Sequence, residues 1–219
     1  MKKVLLFISI AALFASCSSE PKFELEVNIQ NNSSLMNKKF IVSQRIDGSV
    51  VYSDTTKIKK DQFLLEIPYK GPALLDISIP TSNVNDIMMV AEEGKIQLDI
   101  DGVKSHLGGT PINNRIEAFN QGNDSVSLLF SQLDKEYELQ RNADPRDPLT
   151  AKKGAELQER RTQLLITNTD RLIAFIKENV DNPIGEYYFM THYIMFPLER
   201  KLELNSFATD KLKKEFGFQ

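Results

Sequence analysis

The sequence predicts an α+β protein, with an N-terminal antiparallel β-sandwich-like domain followed by a C-terminal helical domain. Three observations carry this expectation. Apolar residues alternate with a period of two through the first half of the chain. Turn-forming residues interrupt that pattern every few positions. After Gly108-Gly109-Thr110-Pro111 the apolar period becomes helical.

The strands follow in order. Phe23, Leu25, Val27 and Ile29 alternate with Glu24, Glu26, Asn28 and Gln30, as in a half-buried strand. Asn31-Asn32-Ser33-Ser34 reads as a loop. Lys39 to Ile46 is a second strand, closed by the turn signal Asp47-Gly48-Ser49. Val50 to Lys59 is a third, and Lys60-Asp61 turns the chain into Phe63 to Ile67. Pro72 and Pro80 bracket Ala73 to Ile79. Asp86 to Ala91 and Lys95 to Asp101 flank Glu92-Glu93-Gly94, which reads as a further hairpin turn. No helix-length segment separates these roughly seven strands, which argues against a parallel βαβ sheet.

In the second half, Ile116, Phe119, Val126, Phe130, Leu133 and Tyr137 fall on one helix face. Asp144-Pro145-Arg146-Asp147-Pro148 breaks the chain. A second long helix carries Leu157, Leu165, Leu172, Ile176 and Val180 as its apolar stripe. Asn182-Pro183 restarts a helix, with Asn182 as N-cap and Pro183 in its first turn. This third helix runs to about Met195 and is rich in aromatic residues. Pro197 stops it, and one or two short helices are expected over Leu198 to Phe216. The expected segments are 1–16, 17–22, 23–110 and 111–219, namely a signal peptide, a tether, the β domain and the helical domain.

Composition excludes several classes of function. The 219 residues include 27 Lys+Arg, 30 Asp+Glu, two His and one Cys. One cysteine cannot build an intramolecular disulfide framework, a CxxC redox pair or a cysteine-built zinc site. A net charge of −3 lacks the basic surplus of a nucleic-acid binder.

The first seventeen residues read as an address. Lys2 and Lys3 form a positive start, Val4 to Phe14 an apolar run, and Ala15 and Ser16 the small residues before a cleavage site. That run falls short of the roughly 20 residues that span a bilayer. Leu13-Phe14-Ala15-Ser16-Cys17 resembles a bacterial lipobox, with Phe14 where Leu is commoner. The resemblance implies diacylglyceryl transfer to the Cys17 thiol, palmitate on the mature N-terminus and anchoring to a membrane, the outer membrane in preference. Cleavage before Cys17 removes Lys2 and Lys3 and no acidic residue, taking the net charge from −3 to −5. Lipid chains rather than surface charge would then hold the body at the bilayer.

Asp54-Thr55, the Phe63 strand, Glu92-Glu93-Gly94-Lys95-Ile96, Gly108-Gly109-Thr110-Pro111-Ile112-Asn113 and Phe119 succeed one another as in a known family. Residues 23 to about 120 resemble the β-rich domain of unknown function 4369 of Bacteroidota envelope lipoproteins. In that family the domain commonly precedes a helical segment and a thioredoxin-like domain. The chain departs from the pattern at Lys60-Asp61-Gln62, where a glycine-containing turn is usual. With Cys17 as the sole cysteine, the redox chemistry of longer relatives attaches to no residue here.

No catalytic residue, metal site or cofactor is expected. Tyr188 and His192 are i,i+4 neighbours that could line a pocket, although an aromatic helix face packed on the core, with a satisfied histidine, is the simpler expectation. His106 reads as a loop residue before Gly108. Asp99-Ile100-Asp101-Gly102 has the start of a calcium loop but lacks its later ligands, and reads as a strand end and turn. Asp54-Thr55-Thr56 and Asp124-Ser125-Val126 look like an O-glycosylation sequon of Bacteroidota periplasmic proteins, which makes Thr55 and Ser125 candidate acceptors. The same residues read equally as a turn and a helix-start cap. The functional expectation is a lipid-anchored, extracytoplasmic envelope protein that binds a protein, peptide or glycan partner without catalysis. The alternatives are an accessory to a thioredoxin-like redox system and an enzyme whose residues the sequence does not reveal.

Overall fold

A computed structural model describes residues 21–142 and 148–217. Eight strands come first: β1 (Lys22–Gln30), β2 (Lys39–Ile46), β3 (Ser49–Lys57), β4 (Gln62–Pro68), β5 (Ala73–Ser78), β6 (Ile87–Ala91), β7 (Lys95–Asp101) and β8 (Lys104–Gly108). Five α-helices follow: α1 (Pro111–Arg141), α2 (Pro148–Asn179), α3 (Pro183–His192), α4 (Leu198–Phe207) and α5 (Asp210–Phe216). The fold is α+β, as the change of period predicts.

The strands form two four-stranded sheets, ordered β4-β1-β7-β8 and β3-β2-β5-β6. Every pair is antiparallel except β1 with β7, which runs parallel in the register Glu24↔Lys95 to Gln30↔Asp101. The alternation of β1 puts Phe23, Leu25, Val27 and Ile29 inside, in one buried core with Phe40 and Val42 of β2 and Leu75 and Ile77 of β5. Each such side chain contributes about 1.5–3 kcal/mol on full burial. Asp47 and Gly48 both take positive φ, 49° and 74°, which fits the tight turn between β2 and β3.

Two local expectations are corrected. Glu92-Glu93-Gly94 is not a hairpin turn: β6 pairs with β5 in one sheet and β7 with β1 and β8 in the other, so this segment crosses between sheets. The segment after Gly102 is not a loop but the strand β8, paired antiparallel to β7, and His106 lies on it.

Helix α1 runs back along β8. Near the start of α1, Glu117 bonds His106 and Leu107 near the end of β8, while Asp124 pairs with Lys104 at the beginning of β8, 2.9 Å away. Asp124 to Arg141 then continues for about 25 Å at the helical rise. Farther along that stretch, side chains bond α2, as in Tyr137 Oη to Gln158 Oε1 at 2.9 Å and Arg160 to Glu136 at 2.7 Å.

The core does not stop at the sandwich. Ile116 and Phe119 of α1, Phe175 of α2 and Ile184 of α3 join the same buried cluster, and Phe119 stacks on Phe175 with centroids 4.2 Å apart. A second cluster, with Ile173, Ile176, Phe189, Leu204 and Leu212, holds α2 to α5 together. Asn182 caps α3 by accepting from the Ile184 and Gly185 N–H groups, at 3.1 and 3.4 Å, with Pro183 in the first turn. Gly185 has no tolerance for a side chain, because a Cβ there would lie 1.9 Å from the Asn179 carbonyl oxygen. No helix among the described residues is long and apolar enough to cross a membrane.

Candidate functional site

The join between sandwich and helices is built by residues far apart in sequence. Thr110 occupies the N-cap position of α1, but its side chain does not cap the helix. The Glu92 carboxylate does so instead. Its Oε2 accepts from the N–H groups of Ile112 and Asn113, at 2.9 and 3.2 Å, and from the Thr110 hydroxyl at 2.6 Å. A carboxylate there satisfies orphan amides and favours the helix dipole. Asn113 is fully buried and closes the other side: its Oδ1 accepts from Val90 N–H at 3.0 Å, and its Nδ2 donates to the Val90 carbonyl at 2.8 Å. The outer edge of β6 is thus capped by one side chain of α1. Gly109 permits the approach, with φ of 88° and no room for a Cβ, which would lie 2.2 Å from the Lys95 carbonyl oxygen.

A cleft opens elsewhere between the sandwich and the helices. The cleft, of about 650 Å³, lies between the Arg45–Gly48 turn region, Pro72 and Leu74 on the sandwich side and α3 and α5 on the other. Pro183, Glu186, Tyr187, Met190 and Thr191 recur at helical spacing and line it, while Ile184 and Phe189 on the opposite face of α3 are buried. Ile46, Leu74, Tyr187 and Met190 give the cleft an apolar lining. Lys211 of α5 reaches across it, to Asp47 of the sandwich turn at 2.5 Å and Glu186 of α3 at 2.7 Å. Those hydrogen bonds, to Asp47 first and then Glu186, hold the Lys211 ammonium above its ordinary pKa. Arg45 is engaged outside the cleft by Asp76. Volumes of this size, at the meeting of two structural layers, are typical of ligand sites.

A smaller groove, of about 270 Å³, is lined by Phe119, Val126, Phe130, Leu172, Tyr188 and His192 among others. Tyr188 packs edge-on against both Phe119 and Phe175, and burial, with a lesser contribution from Tyr187, pushes its phenol pKa up. His192 stacks on Tyr188, its Nδ1 3.0 Å from the Tyr188 carbonyl oxygen. Tyr188 therefore belongs to the core while His192 edges a groove.

The remaining sequence candidates are dispersed. His106 and Glu117 pair at 2.8 Å, with the second Glu117 oxygen accepting from Leu107 N–H at 2.8 Å. Burial pushes the Glu117 carboxyl up, but the bonds from Leu107, His106 and Gln121, with the His106 charge, outweigh it and hold the pKa below its ordinary value. Asp99 and Asp101 sit on β7 and accept from Asn28 and Asn31, both at 2.7 Å. Thr55 is exposed on β3 and Ser125 is exposed on α1; neither is a turn residue nor a helix-start cap, because both lie inside long elements. Cys17 lies outside the described residues. The cleft itself is not anticipated by any short motif, since its walls come from positions as distant as Arg45 and Glu215.

The molecule is thus a two-sheet sandwich whose β6 edge and α1 start are clasped by Glu92, Thr110 and Asn113. Residues 23–116 match the family described as Domain of unknown function (DUF4369). The match runs from β1 into the first turns of α1, so the clasp residues fall inside the family unit. No curated protein and no solved structure matches the chain.

Proposed function

We propose that the chain is a lipid-anchored, extracytoplasmic protein of a bacterial envelope, held at the outer membrane through Cys17, and that it binds a protein, peptide or glycan partner in the cleft between the sandwich and α3. The cleft carries this reading: its apolar lining is open, and several of its charged groups are occupied with one another rather than converging on a reaction centre. Its position agrees with anchoring nearby. The Tyr69 N–H bonds the Pro21 carbonyl at 2.7 Å, so the chain enters the fold only a few residues from Pro72, which lines the cleft.

The test is affinity capture of the lipidated chain from membranes, compared with a Met190→Arg variant. Met190 is 38% exposed, so the substitution fills the cleft at little cost to folding. The reading expects a partner that is recovered with the wild type and lost with the variant at unchanged melting temperature. Equal recovery contradicts it. The resemblance to envelope lipoproteins with a thioredoxin-like domain implies a second reading, an accessory to a redox system, which expects a CxxC-bearing protein in the same capture. Replacing Cys17 with Ala should release the chain from the membrane fraction and abolish palmitate incorporation.

A further inference from the structure

Resting on the reading of the cleft as the binding site, we propose that its occupant is an extended polypeptide segment presenting a lysine or arginine flanked by apolar residues. The balance of charge around the cleft points there. Its two cations are both engaged, Arg45 by Asp76 and Lys211 by Asp47 and Glu186. Two further carboxylates, Asp181 and Glu215, line the cleft and make no ion pair or side-chain hydrogen bond among the described residues. An anionic ligand would meet those carboxylates with no free cation to offset them, which selects against it. A cationic head group complements their charge and can donate charge-assisted hydrogen bonds to either carboxylate.

The apolar part of the lining accounts for the rest of the side chain. Leu74, Tyr187 and Met190 share the cleft with the two acids. The aliphatic stem of a lysine or arginine covers such surface while its head stays with the carboxylates. A free amine would leave most of the roughly 650 Å³ unfilled, whereas a peptide supplies apolar neighbours on both sides of the charged residue. Because Asp181 and Glu215 are exposed, their combined effect is modest, and a preference of about tenfold is expected.

The test is titration calorimetry on the full chain in detergent with three peptides, acetyl-Ala-Leu-Xaa-Leu-Ala-amide, where Xaa is lysine, norleucine or glutamate. Norleucine keeps the stem and deletes the ammonium. The lysine peptide should bind about tenfold tighter than the norleucine peptide, with the glutamate peptide weakest. In an Asp181→Asn, Glu215→Gln double variant, the lysine peptide should fall to the norleucine level, with norleucine binding and melting temperature unchanged. The proposal is overturned by equal binding of lysine and norleucine, by preference for glutamate, by binding of none of the three, or by a lysine preference that survives the double substitution. Equal binding that is lost in Met190→Arg would leave the cleft a binding site and remove only its cation preference.

Discussion

Asn113→Ala is expected to separate the two halves of the fold energetically. Asn113 is fully buried, and its carboxamide is the partner of both the N–H and the C=O of Val90 on the outer edge of β6. It also donates to Thr110 Oγ1 at 2.8 Å. Alanine leaves two buried backbone groups without partners. Each such loss costs about 1–3 kcal/mol, so the expected destabilisation is about 2–6 kcal/mol. That is a large share of an ordinary domain stability of about 5–15 kcal/mol. Urea unfolding of the full chain in detergent, followed by far-ultraviolet circular dichroism, measures it. Asn114→Ala, one position along and exposed, is the control and should change stability by less than about 0.5 kcal/mol. Amide exchange at Val90 should accelerate in the Asn113 variant alone. Equal stability of the two variants, with Val90 still protected, would refute the clasp.

Gln44 is fully buried, and its carboxamide has no hydrogen-bond partner among the described residues, so Gln44→Met should raise stability by about 1–3 kcal/mol in the same assay; a loss of stability would show that the amide is satisfied. Phe189→Ala should cost about 3–5 kcal/mol, because Phe189 is fully buried against Tyr193 and Phe216, and an unchanged melting temperature would place that face outside the core. Glu117 has its carboxyl held below the ordinary value of 4.5, so it contributes stability that is present above that value and lost as pH falls through and below it. Glu117→Gln should therefore be less stable at neutral pH and lose less on acidification from about pH 5 to about pH 3; parallel acid titrations of the two proteins would contradict this.

Legibility in the sequence depended on the range of the interaction involved. The alternation of Phe23 to Ile29 and the Asn182-Pro183 start of α3 are local signals, and both elements form where those signals lie. Strand β8 was hidden because Lys104-Ser105-His106-Leu107-Gly108 has a single large apolar residue, and its pairing with β7 rather than its own pattern makes it a strand. Glu92-Glu93-Gly94 has hairpin chemistry, yet sheet membership is decided by the parallel pairing of β7 with β1, dozens of residues away. Asp54 and Asp124 carry turn and cap signals that the long elements β3 and α1 override. The motif Gly108 to Asn113 stood out in the sequence, but its role required Glu92 and Val90 to come within hydrogen-bond distance of it. The cleft was invisible for the same reason, since no two of its walls are neighbours in the chain.

Site-directed photo-cross-linking in intact cells tests the central claim most directly. A photoreactive amino acid is placed at Met190 in the cleft and, in a second strain, at Leu64, which is 49% exposed on β4 and does not line the cleft. The account predicts a discrete cross-linked adduct from position 190, absent from position 64 and lost in a Cys17→Ala strain. The same adducts from both positions, or none from position 190, would contradict it.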